Sequence, residues 1–102
     1  MSQVTLSIAQ FEQLMRAAGY DEVIERVWPP DAVVDTHRHP FDVNALMIAG
    51  ELTLMVPGEA PRQLRAGDTF QLAAHVAHAE RYGPLGATFW VARRAANDIA
   101  PR

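Results

Sequence analysis

Residues 35–50 read DTHRHPFDVNALMIAG. His37 and His39 are separated by one residue, so on a β-strand both imidazoles point to one face and Arg38 to the other. His39-Pro40 is turn chemistry, the run Val43 to Ala49 has strand length, and Gly50 is a further turn signal. The stretch therefore reads as strand, turn and strand, with a pair of metal-ligand side chains on one lumen-facing surface. Outward from it, from Tyr20 onward, the same period of two continues. Glu22 to Trp28, Val33 to His37, Leu52 to Val56 and Ala87 to Arg93 are all strand-sized. Pro29-Pro30-Asp31, Pro57-Gly58, Gly67-Asp68 and Gly83-Pro84 with Gly86 punctuate them. Seven or eight strands fit between these marks. Absence of a second helical pattern favours an antiparallel sandwich or barrel over a βαβ sheet.

Upstream, Ser7 and Gln10 match a capping box, and Ile8, Phe11, Leu14, Met15 and Ala18 recur at helical spacing up to Gly19. One amphipathic helix is expected there, its apolar stripe packing on the barrel or on a partner subunit. The organisation expected is a helical segment over 1–20, a β-barrel over 21–95 and a frayed tail over 96–102.

The chain has 102 residues, 49% of them apolar and 21% charged, with a formal net charge of −3. One compact domain follows from that length and composition. No Lys/Arg cluster supplies the counterion release on which nucleic-acid affinity rests, so a nucleic-acid partner is not expected. No run approaches a membrane span and no basic leader precedes an apolar run, which reads as a cytoplasmic protein. With no cysteine in the chain, thiolate nucleophiles and Cys-ligated zinc are excluded, and His and carboxylates are left as the strong metal ligands.

His78 follows the Gly67-Asp68 turn, and an antiparallel barrel can carry it across a shared lumen from His37 and His39. With these residues in register the sequence resembles the cupin superfamily over nearly all of the chain after the helix. The first cupin motif places Gly before an HxH pair, then Glu, then Gly. Here Asp31 stands at the opening Gly, His37 and His39 are the pair, Val43 occupies the Glu position, and six further residues lead to Gly50. The second motif maps onto Gly67, then Ala73-Ala74-His75, then His78, with Tyr82 at its Asn position. The resemblance implies an all-β cupin double-stranded β-helix (jelly-roll barrel) with one N-terminal α-helix. It also implies a divalent metal ion (Zn, Fe, Ni, Mn or Cu) on His37, His39 and His78. Three neutral imidazoles would leave such an ion its full charge, where a further Glu would lower it by one unit.

By the same alternation Asp35 shares a face with His37, and Glu80 and Tyr82 share one with His78, so these are the candidate catalytic groups around the metal. Glu80 can supply a carboxylate directly or act as a general base; pairing with Arg81 or Arg93 at the barrel mouth is the structural alternative. Asp42, off the Val43 face, reads as a turn residue or as an acceptor for an imidazole N–H. His75 stands where the motif has Gly and reads as a structural residue at positive φ. Trp28, Met47, Phe70, Phe89 and Trp90 fill the core or the cavity wall, the alternation leaving open which of Phe89 and Trp90 faces in. Three functions fit: a metalloenzyme acting on a small organic molecule, a non-catalytic ligand-sensing or storage cupin, or a structural barrel with a degenerate site. A homodimer formed through the helix and an outer sheet is expected.

Overall fold

A computed structural model describes residues 5–95; residues 1–4 and the expected tail over 96–102 lie outside the described residues. Helix α1, Ile8–Ala17, begins as the capping box requires. The Gln10 backbone N–H donates to Ser7 Oγ at 3.1 Å and the Ser7 N–H to Gln10 Oε1 at 2.8 Å. The helix ends at Ala18-Gly19, where the Tyr20 N–H reaches back to the Met15 carbonyl at 3.0 Å.

Six strands follow: β1 Glu22–Trp28, β2 Val33–His37, β3 Phe41–Met55, β4 Arg62–Arg65, β5 Thr69–Leu72 and β6 His78–Ala95. Every pairing is antiparallel. The bounds of β1 and β2 are those read from the sequence, but Gly50 and the Gly83–Gly86 stretch are not chain reversals. They are bends inside β3 and β6, whose pairing slips between Met47 and Ala49 and again between Gly50 and Leu52. Each long strand thereby serves two half-sheets. One half is ordered β1-β6-β3-β5 and the other β2-β6-β3-β4. Eight strand segments result, in agreement with the spacing of the turn signals, but the ladder is not closed: β1, β2, β4 and β5 are its edges.

The bend is enforced by contact between backbones. A Cβ on Gly50, at φ 79°, would stand 2.0 Å from the Gly86 carbonyl oxygen, and a Cβ on Gly86 would stand 2.2 Å from the Trp28 carbonyl oxygen. Only glycine lets β3, β6 and the end of β1 approach this closely. Folding there turns the two halves toward each other. Ala45, Met47, Phe89 and Val91 from one half then bury against Leu52, Leu54, Leu64 and Tyr82 from the other. Each large side chain buried in this way stabilises the fold by roughly 1.5–3 kcal/mol relative to leaving it exposed.

The register decides the two aromatics of β6. Phe89 packs in the lumen cluster, whereas Trp90 faces outward with Ala92 and is covered by the helix through Phe11, their ring centroids 5.8 Å apart. The Trp90 indole N–H donates to Glu25 Oε2 at 3.1 Å. The helical stripe is only partly used: Phe11 is buried, while Ile8 and Leu14 are 41% and 56% exposed. Among the described residues no helix is long and apolar enough to cross a membrane.

Candidate metal centre

β2 ends at His37, a short turn carries His39, and β6 begins at His78, paired directly opposite His37. The three imidazoles meet inside the rolled sheet with ring centroids 4.3 Å (His37–His78), 4.8 Å (His39–His78) and 5.8 Å (His37–His39) apart. Their ligating nitrogens all lie within 4.8 Å of one another, and these three residues could hold a metal ion. His78 is 1% exposed; His37 and His39 are half-buried.

Each ring is oriented by a backbone carbonyl two residues away. His37 Nδ1 lies 2.9 Å from the Asp35 carbonyl oxygen, His39 Nδ1 3.3 Å from that of Phe41, and His78 Nδ1 2.9 Å from that of Val76. A carbonyl only accepts, so in each neutral ring the proton sits on Nδ1 and the Nε2 lone pair is free. Glu80 adds a further acceptor, its Oε2 lying 3.5 Å from His78 Nε2 and 4.0 Å from His37 Nε2. Three lone pairs and a carboxylate therefore converge, an arrangement that repels itself and suits a cation at its centre. The nitrogens need to close in only modestly, since a tetrahedral ion with bonds of about 2.1 Å sets its ligands ~3.4 Å apart. Burial, followed by the neighbouring His78, lowers the His39 pKa below its usual 6.5, which keeps that imidazole in its ligating form.

Glu80 and Tyr82 alternate inward with His78 as the sequence indicates. Glu80 lines the cavity. Tyr82 lies deeper, 5% exposed, with its ring stacked on Trp28 at 5.2 Å, and its hydroxyl donates to Glu80 Oε1. Burial, and then the bond to Glu80, push the phenol pKa up, so Tyr82 remains a proton-bearing donor. Glu80 is thus tied to Tyr82 and faces the imidazoles, and is not paired with Arg81 or Arg93; Arg93 instead meets Glu22 at 2.8 Å.

One expectation around the site is corrected. Asp35 is exposed and only its carbonyl serves the site, because the pairing of β2 with β6 slips between Val34 and His37 and reverses the alternation there. Val34 lines the cavity in its place. Asp42 takes the turn role: it accepts from the Ala74 backbone N–H at 2.8 Å and from Arg94 Nε at 3.0 Å, and these bonds lower its pKa, with the neighbouring His75 contributing in the same direction. With the His75 N–H donating to the His39 carbonyl at 2.8 Å, this fixes the 73–76 turn that leads into His78. His75 adopts φ 69° there, the structural role its motif position indicates, and Asp31, at the opening Gly position, has φ 59°.

The site opens into a cavity of about 250 Å³, walled by Val43, Phe70, Leu72 and Phe89 among others. Val43, at the position of the usual glutamate, adds no donor. Arg26, read from the sequence only as part of a strand, and Trp28, read as core or cavity wall, also line this cavity. The signal for them was the alternation Ile24, Arg26, Trp28, which sets an arginine between two inward apolar residues.

The fold has counterparts among solved structures. Among solved structures the chain is similar to an RmlC-like cupin from Shewanella frigidimarina, with 24% identity, a TM-score of 0.61 and coverage of 76% of this chain and 69% of that one. It is similar to the DMSP lyase DddQ from Ruegeria pomeroyi, with 26% identity and a TM-score of 0.63; the match covers 78% of this chain but only 40% of the lyase. KdgF from Halomonas sp. superposes with a TM-score of 0.61 at 21% identity, over 76% of this chain and 73% of that one. No protein-family model matches the sequence, and no curated protein matches it. The chain shares the cupin fold of these structures.

Proposed function

We propose that this protein is a metal-dependent cupin acting on a small organic molecule, with the divalent ion held by His37, His39 and His78 and with Glu80 as the proton-accepting group. The observation that carries the reading is the convergence of three carbonyl-oriented Nε2 atoms and the Glu80 carboxylate at the floor of one cavity. When bound, a divalent ion supplies Lewis-acid polarisation of a ligand oxygen. The chain's own residues do the rest. Glu80 Oε2 is free to accept a proton while Oε1 is occupied by the Tyr82 hydroxyl. Tyr82 is a positioning residue held between Trp28 and Phe89. The apolar walls exclude water from the reacting end of the ligand. The similarity to a structure whose name records lyase activity supports a search among small-molecule reactions.

Substituting Glu80 by Gln keeps the size and the acceptor for Tyr82 but removes the proton-accepting charge. The expected result is unchanged metal content and turnover lowered about 10²–10⁴-fold, measured on a substrate found by screening the metal-loaded protein. Wild-type turnover in Glu80→Gln, or loss of the metal with it, would contradict the assigned role. The reading includes a cytoplasmic location and a homodimer, the dimer supported by the exposed Ile8 and Leu14 beside the buried Phe11 on α1. Light scattering at micromolar concentration is expected to return twice the chain mass, and a monomer mass would contradict it.

A further inference from the structure

β1 is an edge strand of the sheet, and its two faces differ in kind. Val23 packs beneath the helix and Glu25 accepts from the outward-facing Trp90, whereas Ile24, Arg26 and Trp28 line the cavity. Arg26 is therefore a cation on the lumen side. It is exposed, and its guanidinium carbon lies 5.3 Å from the centre of the Trp28 ring. Among the described residues it has no carboxylate within salt-bridge distance. Arg93, the other arginine lining the cavity, is in a different state: it pairs with Glu22 and lies 4.9 Å above the Phe41 ring. The cavity thus carries one uncompensated guanidinium. Glu80, the carboxylate lining the same cavity, is held by Tyr82 and faces the imidazoles.

We infer that Arg26 is the anion-recognition residue of this cavity and that its ligand is a small organic anion, a carboxylate or a phosphate monoester, bound with its charged end on Arg26 and its other end toward the histidines. The inference rests on the reading of this cavity as the ligand site. A planar guanidinium matches either oxyanion with two parallel N–H bonds, and stacking on Trp28 restricts the side chain before the ligand arrives, which lowers the cost of ordering it. In the metal-free protein polarity favours this orientation, because an anionic group placed at the Glu80 end would meet a like charge. The cavity, at about 250 Å³, falls below the roughly 300–1,000 Å³ of drug-sized sites, which limits the ligand to a small molecule.

The competing explanation is that an inward charge on an edge strand merely discourages edge-to-edge pairing. The two separate in solution on the full-length, metal-free protein, which removes direct metal–anion binding from the measurement. Propionate, propyl phosphate and the neutral propionamide are titrated in turn while the Arg26 Nε–H and Trp28 indole signals are followed by NMR. Saturable shifts with one or both anions and none with propionamide are expected, and whichever anion binds more tightly identifies the oxyanion. Arg26→Gln should weaken that binding at least tenfold while leaving metal content and the cooperative melt unchanged, with Arg65→Gln as a surface control that alters neither. Equal binding of propionamide, undiminished anion affinity in Arg26→Gln, or a change confined to self-association would overturn the proposal. A protein that binds anions through Arg26 but takes up no metal would remove the metal reading alone. One that loads metal on the histidines but shows no Arg26-dependent binding would remove this inference alone.

Discussion

Alanine at any one of His37, His39 or His78 should lower divalent-metal affinity by at least about a hundredfold, whereas His75→Ala should change it by no more than a few-fold. Loss of a group that merely orients a metal ligand typically costs 10–100-fold, so loss of the ligand itself belongs at or above the upper end. His75 is distinguished by geometry: it adopts φ 69° in the turn before β6, its backbone N–H bonds to the His39 carbonyl, and its side chain is outside the cluster of converging nitrogens. Competition titration against a chromophoric chelator measures all four variants on one scale. Equal losses from all four would show that the affinity is not a property of the three-histidine cluster. The pH dependence has a fixed sign. Affinity should fall as pH drops through the usual imidazole range near 6.5, because protonated rings do not ligate. The metal-free fold should lose stability in the same direction. Burial depresses the pKa of His39 in the folded chain, so below 6.5 the unfolded chain takes up a proton that the folded chain resists, and stability lost as pH falls returns as pH rises.

Alanine at Gly50 should destabilise the protein by about 3–5 kcal/mol, combining a strained φ with a backbone clash. That is a large part of the roughly 5–15 kcal/mol by which a domain is stable. The contact at risk is with the Gly86 carbonyl oxygen, 2.0 Å from where the Cβ would stand, and neither partner is a flexible side chain that could move aside. Gly58 is the control. It has φ 87° but no atom within 4 Å of an added Cβ, so Gly58→Ala should cost only the conformational part, about 1–2 kcal/mol. Chemical denaturation of both variants separates the two contributions. A Gly50→Ala protein within 1 kcal/mol of Gly58→Ala, on the scale of ordinary single substitutions, would show that the bend between the half-sheets is not set by this contact.

The histidine cluster was legible because two independent regularities converge on it. Strand alternation puts His37 and His39 on one face, and the spacing to Gly50 on one side and from Gly67 to His78 on the other matches two motifs at once. Glu80 and Tyr82 were legible because β6 alternates without interruption from His78 to Tyr82. Asp35 was misplaced for the complementary reason: the slip between Val34 and His37 inserts a residue, and period-two reasoning has no term for a bulge. Gly50 and Gly86 announce positive φ, yet the same conformation serves a reversal or a bend within a strand, and only the carbonyl contacts across β3, β6 and β1 decide which. Asp42 was legible as a turn residue, but its partners were not, since its bonds run to Ala74 and Arg94, 32 and 52 residues away along the chain. Arg26 escaped notice because its place over Trp28 at the cavity is a property of the folded surroundings.

The central claim, a divalent ion on His37, His39 and His78, is tested most directly by X-ray absorption at the metal edge of the purified protein loaded with one equivalent of ion. The expected spectrum contains three imidazole nitrogens at about 2.0–2.1 Å, and that count should fall in His78→Ala. A shell of oxygen ligands without imidazole scattering, or a protein that retains no ion after desalting, would contradict the account.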